Sequence, residues 1–439
     1  MLNTIGIRHE DKYLLERRAP LTPRHVARLV SEHHLPFIIQ ESEKRIFSND
    51  AYRKAGAVVD PDLNGAKIIM GIKEIPNHLL EQGKAYIFFS HVSKGQNHNM
   101  SMLTRMMEMG CSLIDYEKVT DDQGRRLIFF GRYAGLAGMI NTLWTYGRRL
   151  EKEGIITPFA RISQTHDYAS IEEARNAISE VGKEIARHGL PESIHPLVIA
   201  IMGYGNVSQG AQEICSLLPM EEVPVSALKS TIENKLIPSN IIIKTVFKEE
   251  DMIDALLPGD EFDLLDYYRN PERYRSKFDQ YLPFINILIN GAYWDARYPR
   301  HVTKDLLERL YVKGQQSLKV IGDISCDPDG SIECTHAGMS IEGPVFIYDP
   351  ITRKPRMGFD GKGIAVMAVD ILPSELPRES SNGFADILVN YMRPLAEADF
   401  SLPLNQLNLP SAIRRGLILY NGILTPDYEY LKQYLAFKA

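Results

Sequence analysis

Cysteine is scarce. Four in 439 residues cannot make the disulfide framework of a small secreted domain. Cys326 and Cys334 lie close together, but no second cysteine pair and no histidine pair completes a zinc spacing, so reduced thiols and no metal are expected. An excess of one charge is also lacking. Fifty Lys and Arg stand against 56 Asp and Glu, a net charge of -6 without long basic runs, which argues against nucleic acid as the main partner. No apolar run approaches the length of a membrane span, and the start Met-Leu-Asn-Thr-Ile-Gly-Ile lacks a basic region followed by an apolar one. A cytoplasmic protein without membrane contact is expected. Internal repeats and low-complexity segments are absent too.

What the chain does have is short apolar runs alternating with helical patterns, over a length that exceeds one typical core. Thr4–Ile7, Pro36–Ile39, Lys67–Ile72, Tyr86–Phe89 and Ser112–Ile114 read as strands. Thr22-Pro23 opens a helix, and the methionines of a helix from about Asn99 to Met109 read as core or surface gap-filling, not as a ligand groove. Leu197–Met202, Ile241–Ile243, Phe284–Ile289, Val320–Ile324 and Ile364–Val369 continue the series. A polar, tyrosine-rich insertion at about 258–283 interrupts it. The pattern predicts an α/β protein of two Rossmann-like, doubly wound domains with mostly parallel sheets flanking a cleft. The first comprises 1–135 with about 384–439 and is discontinuous; the second comprises 136–383. A small-residue-rich helix, 135–150, leads from one to the other.

The second domain holds the most informative stretch. The run ending at Met202 feeds a helix through Gly203-Tyr204-Gly205-Asn206-Val207-Ser208, close to the dinucleotide fingerprint. The first glycine makes the tight turn, the second admits a pyrophosphate, and the helix N-terminus favours the anion. Ser208 replaces the third glycine. An ordinary strand, glycine turn and helix without a ligand would look much the same.

In open α/β sheets, ligands bind at the carboxyl ends of strands. Lys73 and His91 each follow a strand there, so an amine and an imidazole suited to proton transfer would face one cleft. Glu74 and Glu117 follow strands likewise and could tune them. Arg17-Arg18 and Arg125-Arg126 offer guanidinium forks for an acidic substrate. Arg125 and Arg126 cannot both point inward from an extended strand, so one of them is structural. For any one of these residues, solvated strand-end polarity is the alternative.

Several ordered motifs carry a resemblance. They include Glu16-Arg-Arg-Ala-Pro-Leu-Thr-Pro23, Gly71-Ile-Lys-Glu-Ile-Pro76, Phe89-Ser-His-Val-Ser-Lys-Gly-Gln96, Phe130-Gly-Arg-Tyr-Ala-Gly-Leu-Ala-Gly138, Ile289-Asn-Gly-Ala-Tyr-Trp294, Asp323-Ile-Ser-Cys-Asp-Pro-Asp-Gly330 and Asp370-Ile-Leu-Pro-Ser-Glu-Leu-Pro377. The chain resembles, over nearly its whole length, the lysine-2-oxoglutarate reductase half of the bifunctional aminoadipic semialdehyde synthases. The wider family is that of alanine dehydrogenases, transhydrogenase domains and lysine-forming saccharopine dehydrogenases. The resemblance implies reductive joining of L-lysine and 2-oxoglutarate into saccharopine, or the reverse, without the saccharopine-cleaving half. It implies Lys73 and His91 as the acid–base pair, Arg18 and Arg126 as substrate-carboxylate ligands, and Glu74 and Glu117 as modulating carboxylates. Gly203 to Ser208, Asp323 and Asp370 would contact the cofactor. NADPH is expected, with NADH as the alternative, because Glu221 and Glu222 lie about 20 residues past the fingerprint, where an acid usually bonds the ribose of NAD. Lys229 could instead meet a 2′-phosphate. Competing readings are an amino-acid or other opine-type dehydrogenase and a non-catalytic nicotinamide-binding protein.

Overall fold

Two eight-stranded sheets organise the chain. The structure is a computed structural model and describes residues 2–234, 237–257 and 259–435. It divides into two compact units, Met1–Phe130 with Pro377–Ala439, and Gly131–Leu376.

In the first unit the strands are β1 (Ile5–Ile7), β2 (Phe37–Gln40), β3 (Val58–Asp60), β4 (Ile68–Met70), β5 (Ala85–Phe88) and β6 (Ser112–Asp115). All six run parallel, in the order β6-β5-β4-β1-β2-β3. Three of the four central ones are buried along their whole length, β1, β4 and β5, as a sheet covered on both faces requires. The helix Pro23–His33 starts on the expected Thr22-Pro23 pair, proline at its first turn supplying a preset φ and no orphan N–H. The methionine-rich helix spans Asn97–Glu108, and Met100, Met102 and Met106 are buried in the core it forms with the sheet.

The second unit contains β7 (Val198–Met202), β8 (Met220–Glu222), β9 (Ile242–Phe247), the hairpin β10 (Ile253–Ala255) and β11 (Tyr274–Ser276), β12 (Ile287–Asn290), β13 (Val320–Asp323), β14 (Val345–Asp349), β15 (Lys354–Met357) and β16 (Ile364–Met367). Its large sheet has the order β15-β14-β16-β13-β12-β7-β9-β8; β14 pairs antiparallel with both β15 and β16, and the other pairs are parallel. The tyrosine-rich insertion supplies the short helix Leu264–Arg269 and the strand β11, which pairs with β10 just before it; its first residue, 258, lies outside the described residues. In the antiparallel β14–β15 hairpin, β14 is a buried apolar run that the series above omits, whereas all of β15 is exposed and polar in pattern. The chain then returns to the first unit, where the helix Pro377–Glu397 packs on the sheet and β17 (Leu417–Tyr420) pairs antiparallel with β6, followed by β18 (Ile423–Leu424).

Candidate active site

Parallel pairing of β4 with β5 brings the residues that follow them side by side. Three residues past β4, Lys73 is held by its backbone: Glu10 accepts the N–H of Ile72 at 2.6 Å and of Lys73 at 3.0 Å. His91 comes three residues past β5 and has φ 52°, a left-handed conformation uncommon for a residue with a Cβ and of a kind that clusters at functional sites. Phe89 stacks on its ring, with centroids 6.2 Å apart.

Glu74 joins the group. Its carboxylate accepts from His91 Nδ1 at 2.8 Å and from Lys12 Nζ at 2.9 Å. Burial opposes its ionisation, but the hydrogen bonds from His91 and Lys12 outweigh that and hold the carboxyl down at about 2. Lys73 lies in a cationic, largely dry setting. Burial first, then the Arg18 guanidinium, pull its ammonium below the usual lysine range, and Glu16 and Glu74 oppose the shift. Its Nζ stands 5.6 Å from the centre of the Tyr13 ring.

Arg18 is not an open fork. Its Nε and Nη2 donate to Glu16 at 2.7 and 2.6 Å, both side chains are almost fully buried, and the guanidinium lies 4.3 Å over Phe130. That leaves Nη1 as the nitrogen not committed to Glu16. Glu16 is the residue sequence reasoning left out, although its place two residues before Arg18 in the Glu-Arg-Arg motif was the available signal. Of the second arginine pair, Arg125 is tied to Asp121 at 2.7 Å on the surface. Arg126 forms an ion pair with Glu117 and donates from Nε to the Glu117 carbonyl at 3.1 Å. Residues 125–130 form no regular strand; Arg126 only bridges to Thr120.

The second unit carries the fingerprint residues. Gly203 has φ 89°, and a Cβ there would stand 3.2 Å from Ala292 Cα, so only glycine fits the turn. At Gly205 a Cβ would meet nothing within 4 Å, which leaves room for a ligand against the backbone. Asn206–Cys215 is the helix that follows, with no side chain capping its first N–H groups, so these point toward an anion site. Tyr204 is half exposed beside them, whereas Val207 and Ser208 face the helix packing. Ser208 is fully buried and its hydroxyl accepts from Gln212 at 3.1 Å. Close helix packing, the task of a third glycine, falls instead to Gly210 and Gly135: added Cβ atoms would stand 2.1 Å from Arg132 O and 1.9 Å from Val207 O.

Asp323 ends β13, buried, and accepts from Asn290 (2.8 Å), Cys326 N (3.0 Å) and Thr335 Oγ1 (2.6 Å); burial pushes its carboxyl up to about 6. Asp370 is exposed in the turn after β16. Glu221 and Glu222 lie on β8 at the sheet edge. The strand beside β7 is β9, which the order of strands along the chain does not reveal.

Comparison with known proteins agrees with this architecture. Residues 6–137 match the family model "Alanine dehydrogenase/PNT, N-terminal domain". The chain is 37% identical over 445 residues to an α-aminoadipic semialdehyde synthase of Arabidopsis thaliana, covering 97% of this chain and 41% of that one. To the mitochondrial synthase of Rattus norvegicus it is 35% identical, covering 98% and 47%. It thus spans less than half the length of these relatives. A saccharopine dehydrogenase [NAD(+), L-lysine-forming] of Neurospora crassa is 28% identical, with 88% and 89% covered. Among solved structures, an L-alanine dehydrogenase aligns with TM-score 0.62 at 18% identity over 99% of this chain and all of that one. A transhydrogenase from Sinorhizobium meliloti aligns with TM-score 0.54 at 14% identity over 96% and 100%. Over nearly its whole length the chain is similar to the α-aminoadipic semialdehyde synthases and the lysine-forming saccharopine dehydrogenases, and its fold is that of alanine dehydrogenase and transhydrogenase.

Proposed function

We propose that this chain is an oxidoreductase that reductively condenses L-lysine with 2-oxoglutarate to saccharopine, or runs the reverse, with NADPH as cofactor and in the cytoplasm. The observation that carries the reading is Glu74 bridging His91 and Lys12 beside a half-buried Lys73, in a chain whose relatives are named for this chemistry. No helix among the described residues is long and apolar enough to cross a membrane, while the rat relative is named mitochondrial.

The residues fit a nicotinamide dinucleotide. Gly203 supplies the turn, Gly205 leaves space at the backbone, and the uncapped helix from Asn206 offers N–H groups. Such a cofactor supplies the hydride. Asp323 and Asp370, at the carboxyl ends of β13 and β16, are assigned to the same site.

The chain's own residues handle protons and carboxylates. Lysine's ε-ammonium must lose a proton before its nitrogen can attack the ketone carbon, and Lys73 Nζ, with its lowered proton affinity, accepts it. The carbinolamine oxygen must leave as water, and His91 Nε2 donates the proton this requires while Glu74 holds the ring by Nδ1. Nη1 of Arg18 and the guanidinium of Arg126 orient substrate carboxylates, each already set in place by Glu16 or Glu117.

The test is an assay of reduced-cofactor oxidation with a panel of amines and keto acids. Both L-lysine and 2-oxoglutarate should be required, and saccharopine should accumulate one for one with cofactor consumed. Rapid turnover with a keto acid and ammonia alone would indicate a deaminating dehydrogenase instead.

A further inference from the structure

A nucleotide-binding sheet of this kind reads the adenosine ribose at the carboxyl end of the strand beside the fingerprint strand. Following the chain from the fingerprint helix, the next strand is β8, with Glu221 and Glu222. In space β8 is the edge, and β9 lies between it and β7. Glu222 is engaged by Lys244 at 2.6 Å on that edge. Lys229 lies on the helix Val225–Glu233, which follows the edge strand β8 and not the strand beside β7. Neither acid nor that lysine occupies the reading position.

The residue that does is Lys248. β9 ends at Phe247, whose carbonyl accepts the N–H of Gly203 at 2.9 Å, so the next residue emerges beside the glycine turn. Burial, and then the Glu249 carboxylate, push the phenol of Tyr204 in that turn up, so Glu249 belongs to the same neighbourhood. Three acids follow Lys248, and two are occupied. Glu249 accepts from Tyr268 at 2.8 Å, and Asp251 accepts the Lys248 N–H at 2.9 Å. Glu250 forms a loose ion pair with Lys248 Nζ at 3.9 Å, and the lysine side chain is 58% exposed. A cation whose ammonium is held only by this loose, solvent-exposed ion pair thus stands where an acid would select a ribose hydroxyl.

We propose that Lys248 receives the adenosine 2′-phosphate and sets the preference for NADPH over NADH, and that Glu221 and Glu222 take no part. The inference rests on the dinucleotide reading above. It is tested by calorimetric titration of the full chain with 2′,5′-ADP and 5′-AMP, which need no turnover. Wild type should bind 2′,5′-ADP at least about tenfold more tightly. Lys248→Met should bring the two near equality and Lys248→Glu should reverse the order. Glu250→Gln should strengthen 2′,5′-ADP binding, and Glu221→Gln with Glu222→Gln should leave the ratio unmoved. Because Lys248 is a surface residue, unchanged thermal unfolding of its variants certifies their fold. A ratio indifferent to Lys248→Met, or a wild type that favours 5′-AMP, overturns the proposal and leaves the dinucleotide reading standing. Failure of wild type to bind either probe, NADH or NADPH overturns both.

Discussion

Glu74 links chemistry to stability at a single position. Its carboxyl is held at about 2 against an ordinary 4.5, so it favours the folded state by an amount fully present above pH 4.5 and lost as pH falls through 2. A depression of that size corresponds to about 3 kcal/mol at neutral pH. Glu74→Gln should therefore lower the denaturation free energy most at pH 7, and the deficit should close as pH is lowered toward 2; a deficit independent of pH would contradict this assignment. The neighbouring pair is tested by activity. Lys73→Met and His91→Gln should each lower kcat by about 10²- to 10⁴-fold with 2′,5′-ADP affinity unchanged, and the double mutant should lose less than the product. Near wild-type kcat and an unaltered pH profile in both would return them to strand-end surface. The place of Lys73, His91 and Glu74 at strand ends was legible in the sequence because apolar runs of strand length mark where strands stop. The closure of Arg18 by Glu16 was not, since an Arg beside an Arg two residues from a Glu reads as a charged turn, and only folding shows both side chains buried.

Elements were legible where burial imposes a pattern and obscure where it does not. β7, β12, β13 and β16 are buried along their whole length, and continuous apolar runs announce them. β8, Met-Glu-Glu, is short and mostly exposed at an edge, so it leaves no periodicity, and which strand neighbours β7 depends on a connection that local sequence does not encode. The helix pair Gly131–Lys152 and Asn206–Cys215 shows the same limit. Gly135 and Gly210 read as small residues in helices; the structure shows that each meets the other helix's backbone. Alanine is favoured over glycine inside a helix by about 1 kcal/mol, which on an exposed face would make the substitution stabilising. Here the Cβ would lie 2.1 Å from a carbonyl oxygen at Gly210, and backbone cannot swing aside as a side chain does. Gly210→Ala should thus destabilise the second unit by about 3 kcal/mol or more and weaken 2′,5′-ADP binding by shifting the helix start. Calorimetric unfolding of the variant measures the sign; a gain in stability would show that the helices separate at little cost.

At the scale of the whole chain, the first unit is assembled from both ends of the sequence. The small-residue helix and the later helical pattern suggested a return near residue 384; the crossing lies at Pro377, where proline opens the helix Pro377–Glu397. Discontinuity leaves little local mark, because the returning helix is amphipathic like any other, and β17 is a short buried run that could have joined either sheet. Its consequence is that the candidate active site is supported by residues separated from it by the entire second unit in sequence. Phe384 is the clearest instance. It is buried, stacks on Phe130 with centroids 4.7 Å apart and meets Tyr116 edge-on at 4.9 Å. Phe130 lies under the Arg18 guanidinium, and Phe89, 6.1 Å from Phe384, stacks on His91. Removing the ring leaves a cavity beneath both functional groups. Phe384→Ala should cost about 3–5 kcal/mol of stability and, at a temperature where the variant remains folded, lower kcat/KM while 2′,5′-ADP affinity stays at the wild-type value. Phe384→Leu should restore most of the stability by refilling the cavity but less of kcat/KM, because the flat surface that positions Phe130 and Phe89 is gone. Equal recovery of both quantities would mean that the aromatic cluster only fills space, and equal loss of 2′,5′-ADP binding would mean that the returning helix supports the second unit as well.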